Sequence, residues 1–280
     1  MAETPAVVRF ENVSLHFGDT PALDGVSFEL HPGETLVLFG AAGSGKTMLL
    51  KTAVGLVKPD SGRVFLFGQD ITDLKEREIY GIRSKVGILF QEGGLFDSLN
   101  IEENVGYPLV NRPITLTNGD GRGLGEEETA VRVRESLKFV GLEHTLEKLP
   151  SELSGGMRRR VGIARAVVAA PPLVLYDSPT AGLDPITANR IVHLIIKERD
   201  LRNTATIMVT HRYQDGHMMA NFRYNPNSEE IELVRQGAQA GMSTRFLVMN
   251  EGRIVFEGPE SGLVQSKDPY VMKFARPGAS

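Results

Sequence analysis

Apolar and polar side chains alternate along residues 7–17 and again along residues 26–30. A period of two predicts antiparallel strands with one buried face. Pro32-Gly33 then marks a turn, and residues 35–39 form a short unbroken apolar run, as a strand buried on both faces requires. Residues 46–56 read as a helix. A second turn at 59–62 leads to a strand over 63–67, and 86–90 reads as a further buried strand.

The pattern changes between Gln91 and Arg160. Ala130, Val133, Leu137 and Val140 fall at helical spacing within 126–140, after a glycine-rich segment at 117–125 that reads as flexible. This block predicts a helical subdomain, residues 92–165, inserted in an α/β core. The core resumes with a helix at 156–168, a strand at 173–177, a helix at 187–201 and a strand at 205–209. Residues 221–241 are polar and read as an exposed loop or small excursion, either a partner-binding element or a tolerated surface insertion. Residues 244–249 and 253–256 predict a hairpin turning at Asn250-Glu251-Gly252. A short helical tail, 259–274, follows. There is no internal repeat and no low-complexity segment. One domain over 1–265 and a tail over 266–280 is the expected organisation.

Composition narrows the classes. The chain has 280 residues, 41% hydrophobic and 24% charged, enough to bury a sizeable core. Its net charge of −4 gives no basic field of the kind that marks nucleic-acid binders. It has no cysteine, which excludes disulfides and thiolate metal sites and agrees with a cytosolic location. The first ten residues lack the basic-then-apolar order of a secretory signal. No apolar run reaches 18 residues, so the chain is not expected to span a membrane by itself.

The chemistry begins at Gly40-Ala41-Ala42-Gly43-Ser44-Gly45-Lys46-Thr47, between a predicted strand and a predicted helix. This fits G-x-x-x-x-G-K-[ST], a phosphate-binding loop. Glycines let the backbone curl so that N–H groups point at an anion, and the helix N-terminus adds partial positive charge. Lys46 is placed to reach the β- and γ-phosphates, and the Thr47 hydroxyl to ligate Mg²⁺.

Further segments narrow the reading. Leu153-Ser154-Gly155-Gly156-Met157 resembles the LSGGQ signature of ATP-binding-cassette (ABC) ATPases. Leu173-Val174-Leu175-Tyr176-Asp177 resembles their Walker B strand, and Ala181-Gly182-Leu183-Asp184 their D-loop. Gln91 stands where that family has its Q-loop glutamine, and His211 where it has its switch histidine. Phe17 takes the place of the aromatic that stacks on adenine; a strand core residue is its other reading. The likeness covers nearly the whole chain and implies a P-loop α/β core with an antiparallel β subdomain and an inserted helical subdomain.

It implies ATP and Mg²⁺ as ligands, with Thr47, Gln91 and Asp177 at the metal. It also implies a head-to-tail homodimer in which Ser154, Gly155 and Gly156 close on the γ-phosphate held by the partner's P-loop. An integral membrane permease would dock between the 91–104 region and the helical subdomain, at the cytoplasmic face of the inner membrane. Gln91-Glu92-Gly93-Gly94, Met157 and the 176–187 segment further resemble the ATPases of Mla/Mce-type lipid transporters, which implies phospholipid-like cargo and lipid-binding partner components. A soluble ABC protein acting on nucleic acid fits worse, given one cassette and net negative charge.

One departure bears on catalysis. Family members carry Glu after the Walker B Asp, and here that position is Ser178. A serine hydroxyl is a poor base near neutral pH. Losing a positioned base removes ~10²–10⁴ in rate. Three accounts are open: Glu92, Asp184 or His211 substitutes; hydrolysis is slow, with Gln91 and His211 placing water and phosphate; or ATP binding alone holds a closed dimer, as in a nucleotide-gated clamp. Met48, where many relatives have a second hydroxyl, is a smaller departure, and Met157 in place of the signature amide is another.

Overall fold

The computed structural model describes residues 5–91, 93–111, 124–234 and 243–275. Glu92, the 117–123 stretch, residues 235–241 and the last five residues of the expected tail lie outside them. The chain begins with β1 (Val8–Phe17), β2 (Thr20–Leu30) and β3 (Thr35–Gly40), then α1 (Lys46–Ala53), β4 (Ser61–Leu66), β5 (Gln69–Asp70), α2 (Glu76–Arg83) and β6 (Val86–Leu89). Next come α3 (Ile101–Val110), α4 (Glu126–Phe139), α5 (Gly155–Val167), β7 (Leu173–Asp177), α6 (Pro185–Arg202), β8 (Ala205–Val209) and α7 (Tyr213–Asn221). It finishes with β9 (Phe222–Asn225), β10 (Glu230–Leu233), β11 (Thr244–Asn250), β12 (Arg253–Gly258) and α8 (Glu260–Val264).

Six strands form the central sheet in the order β12-β11-β3-β8-β7-β6, parallel except for the edge strand β12. Every residue of β3, β7 and β8 is buried, which is why these segments read as continuous apolar runs. Successive side chains enter opposite layers. Leu36, Leu38, Leu175 and Ile207 pack with α1 and the strands β1, β2 and β4. Val37, Phe39, Val174 and Met208 pack with α3 to α7. The N-terminal strands make a separate antiparallel sheet, β2-β1-β4-β5. The alternation along residues 7–17 is thus the signature of a sheet covering one face of the parallel core, and α3, α4 and α5 form the expected helical block on the other.

Several boundaries differ from the sequence expectations. α1 ends at Ala53, short of residue 56, because Gly55 adopts φ 66° and the Leu56 N–H closes back on Lys51 O at 2.9 Å. α2 was not anticipated from the pattern. It buries one residue, Ile79, and is held by polar contacts: Glu78 Oε2 accepts from Lys75 N at 2.7 Å, and Arg83 Nε donates to Val54 O at 3.0 Å. The 221–241 excursion, expected as a loop, contains the β9–β10 hairpin. Tyr224 pairs with Ile231, and Asp200 Oδ2 accepts from Tyr224 N at 2.7 Å, so the hairpin is tied to α6.

Candidate functional site

β3 delivers the chain to its loop at Gly40, with φ 151°; a Cβ there would stand 2.5 Å from Met249 O. At Gly45, the residue capping α1, φ is 102° and a Cβ would meet Ala22 O at 2.1 Å. Only glycine passes between these backbones, which fixes the curl of the loop. Ala41, Ala42 and Gly43 are exposed at its crest, while Ser44 and Gly45 are buried beneath it.

Lys46 is the first residue of α1 and only 6% exposed. Its ammonium donates to Gly40 O at 2.8 Å, Ala41 O at 2.7 Å and Ser44 Oγ at 3.1 Å. Burial lowers its pKa to about 8, against the pull of the Asp177 carboxylate. The next residue, Thr47, donates its hydroxyl to Asp177 Oδ2 at 3.0 Å, joining two positions 130 residues apart. Met48, half-buried, packs into the layer under the β subdomain.

Asp177 ends β7 and is buried. Its other oxygen, Oδ1, accepts from Ser178 Oγ at 3.1 Å. Ser178 is itself buried, with φ 51°, and its N–H donates to Val209 O at 2.9 Å. Its hydroxyl is therefore committed to the carboxylate beside it. His211 follows β8 on the same edge of the sheet. Burial, together with the Lys46 ammonium, holds its pKa below the ordinary histidine value; the Gly40 carbonyl and Asp177 act more weakly the other way. The shift favours the neutral imidazole, which has one N–H to donate.

The remaining predicted residues stand apart from this cluster. Gln91 is exposed beyond β6. Phe17, 58% exposed at the end of β1, is not a strand core residue. Ser154 caps α5, its Oγ accepting from Met157 N at 3.3 Å, and Gly155 is exposed beside it. No hydrogen bond or ion pair among the described residues joins Ser154, Gly155 or Gly156 to the loop at 40–47. Asp184 caps α6: one oxygen accepts from Ile186 N and Thr187 N, both at 3.0 Å, and the contacts with Thr187 lower its pKa. That carboxylate is committed to its own helix, which argues against it as a stand-in base.

One contact escaped the sequence reading. Tyr270, in the short tail, accepts from Ala41 N at 3.0 Å and donates to Met249 O at 2.9 Å. Phe274 stacks on Phe39 of β3, ring centroids 6.1 Å apart. The tail thus braces the phosphate loop across 229 positions, which no local pattern signals.

The sequence pattern of the ABC transporter family matches residues 23–181. The chain belongs to the ABC transporter family. It is 30% identical over 270 residues to the intermembrane phospholipid transport system ATP-binding protein MlaF of Haemophilus influenzae, covering 96% of this chain and 90% of that protein. It is 35% identical over 257 residues to the methionine import ATP-binding protein MetN of Rhizobium etli, covering 92% of this chain but only 62% of that protein. The chain therefore spans about three fifths of the length of its MetN relatives. Among solved structures, a dimeric ATP-binding cassette in a post-hydrolysis state with ADP and Pi superposes with TM-score 0.74 at 28% identity, covering 90% of this chain and 98% of that one. The fold is thus that of an ABC cassette, a mixed α/β core with an antiparallel sheet. Within that ABC fold, Lys46, Thr47, Asp177, Ser178 and His211 converge at the C-terminal ends of the parallel strands, where such sheets form ligand sites.

Proposed function

We propose that this chain is the ATP-binding and ATP-hydrolysing subunit of an ABC transporter, acting as a head-to-tail homodimer on a separate membrane permease. The observation that carries the reading is the loop itself: Lys46 held inside it, and Thr47 bonded to Asp177. The loop N–H groups and the N-terminus of α1 offer an anion site, and the Lys46 ammonium adds a movable charge. Two hard oxygen donors 3.0 Å apart, Thr47 Oγ1 and Asp177 Oδ2, suit Mg²⁺. Bound Mg²⁺ would supply charge neutralisation between the β- and γ-phosphates. Gln91, exposed beyond β6, would complete the proposed metal set.

Hydrolysis requires a water to attack the γ-phosphorus and to lose a proton. Ser178, bonded to Asp177, does not accept that proton. His211 would donate its N–H to the γ-phosphate; as water bonds to the γ-phosphorus, the bond from that phosphorus to the β–γ bridging oxygen breaks, ADP leaves, and the proton of the water passes to the phosphate itself. The reading is therefore slow turnover with firm ATP binding. Ser154, Gly155 and Asp184 would meet the partner's nucleotide, and exposed Phe17 would stack on adenine.

No described helix is long and apolar enough to cross a membrane. A groove of roughly 370 Å³, lined by Tyr80, Arg83, Tyr107, Asn111 and Arg165 between α2, α3 and α5, takes no lining residue from the 91–104 region expected to receive the permease, and would suit a permease helix at the cytoplasmic membrane face. Phospholipid-like cargo is favoured over methionine because the lipid-transport relative matches over nearly its full length, as the MetN proteins do not.

The decisive measurement is Mg²⁺-dependent phosphate release by the chain with its permease, beside a Lys46→Ala control. Release above that control, rising about 100-fold in Ser178→Glu, is expected. Phosphate release no greater than the control in both proteins would leave a nucleotide-gated clamp. Stimulation by methionine and not by phospholipid would overturn the cargo assignment.

A further inference from the structure

His211 sits between two residues whose polar atoms are tied together. Thr210 Oγ1 accepts from Arg212 N at 3.1 Å, closing the turn that carries the exposed His211. The same hydroxyl donates to Asp215 Oδ2 at 2.7 Å. That oxygen also accepts from the hydroxyl of Thr180, two residues beyond Ser178. Asp215 is fully buried, and Thr180 and Thr210 nearly so. Arg212 Nη1 stands 3.5 Å from Asp215 Oδ1, a charge contact longer than a hydrogen bond.

A carboxylate buried for stability alone is poorly chosen. Its desolvation costs several kcal/mol, and apolar groups of similar volume often serve as well or better. This one joins two particular stretches of chain. One leaves β7 through Asp177 and Ser178; the other leaves β8 through His211. Backbone bonds already align them at their roots, with Ser178 N donating to Val209 O at 2.9 Å. Beyond that point, Thr180 of the first stretch and Thr210 of the second both bond Asp215 Oδ2.

We propose that Asp215 is a positioning residue of the nucleotide site: through the hydroxyls of Thr180 and Thr210 it locks the loop after β7 to the turn carrying His211. The imidazole is then held at a fixed place relative to Asp177 and Ser178, and movement of either loop carries the other with it. The proposal rests on the ATPase reading and extends it to residues that touch neither nucleotide nor metal.

Thr210→Val keeps the side-chain shape and removes the hydroxyl; Thr210→Ser keeps the hydroxyl. Thr210→Val is expected to lower kcat for MgATP about tenfold while KM stays within about twofold, and Thr210→Ser to restore kcat. In the nucleotide-free chain, the His211 ring resonance in a ¹³C–¹H spectrum should shift or broaden in Thr210→Val and return in Thr210→Ser. Unchanged kcat with an unmoved His211 resonance overturns the proposal, as does a kcat loss that Thr210→Ser does not reverse. If the wild-type chain hydrolyses no ATP above Lys46→Ala, the ATPase reading fails and the His211 resonance alone decides whether the lock exists.

Discussion

Lys46 has three acceptors for its three ammonium protons and almost no water. Its lowered pKa of about 8 has two consequences of opposite sign. The folded chain binds fewer protons at Lys46 than the unfolded chain between about 8 and 10.5, so this group makes the fold more stable as pH rises through that window. A triphosphate needs the ammonium form, so nucleotide affinity should be full at pH 7 and fall as pH rises past about 8. Fluorescent-nucleotide titrations at pH 7, 8 and 9 check this. Lys46→Ala should lose about 100-fold in affinity and show no such fall, since a lost charged contact is worth roughly 1.5–3 kcal/mol. An equally steep decline in Lys46→Ala would assign the pH effect to another group.

At the scale of elements, one buried amide gathers the backbone of the loop entering α3. Asn104, fully buried, accepts from Phe96 N at 2.8 Å and donates to Phe96 O, Leu99 O and Asn100 O at 2.9 to 3.0 Å. It folds the 96–100 segment, just past Gln91, onto the helix beside the groove. Asn104→Ala leaves those backbone groups without partners and should cost about 2–4 kcal/mol in denaturant unfolding. Amide exchange at Phe96 should rise with it. If stability falls while Phe96 exchange stays protected, the amide is not what holds the loop.

At the scale of the molecule, the proposed head-to-tail dimer and the fold make different demands on the two signature glycines. A Cβ at Gly155 meets nothing within 4 Å, whereas one at Gly156 would stand 2.9 Å from Thr187 Cγ2. Gly155→Glu should therefore keep the monomer's melting temperature and its nucleotide affinity within about twofold, while abolishing an ATP-induced dimer in light scattering, because it sets a carboxylate against the partner's phosphate. Gly156→Glu should lower the melting temperature as well. An ATP-induced dimer that survives Gly155→Glu would remove the signature from the dimer interface.

The sequence by itself determined the sheet and the loop. Period-two alternation over 7–17, apolar runs at 35–39, 173–177 and 205–209, and the glycine spacing of 40–47 are local consequences of burial and steric need. Local chemistry also marked Ser178 as a poor base where the family carries Glu. Only the tertiary structure decided which groups meet. Tyr270 braces Ala41, Asp215 joins Thr180 to Thr210, and the Asp184 carboxylate serves its own helix. α2 and the β9–β10 hairpin were likewise hidden, because α2 is eight residues long and buries only Ile79, and the hairpin is tied to α6 by the distant Asp200 carboxylate. Residue spacing records which face is buried; it does not record the partner that a long chain brings to that face.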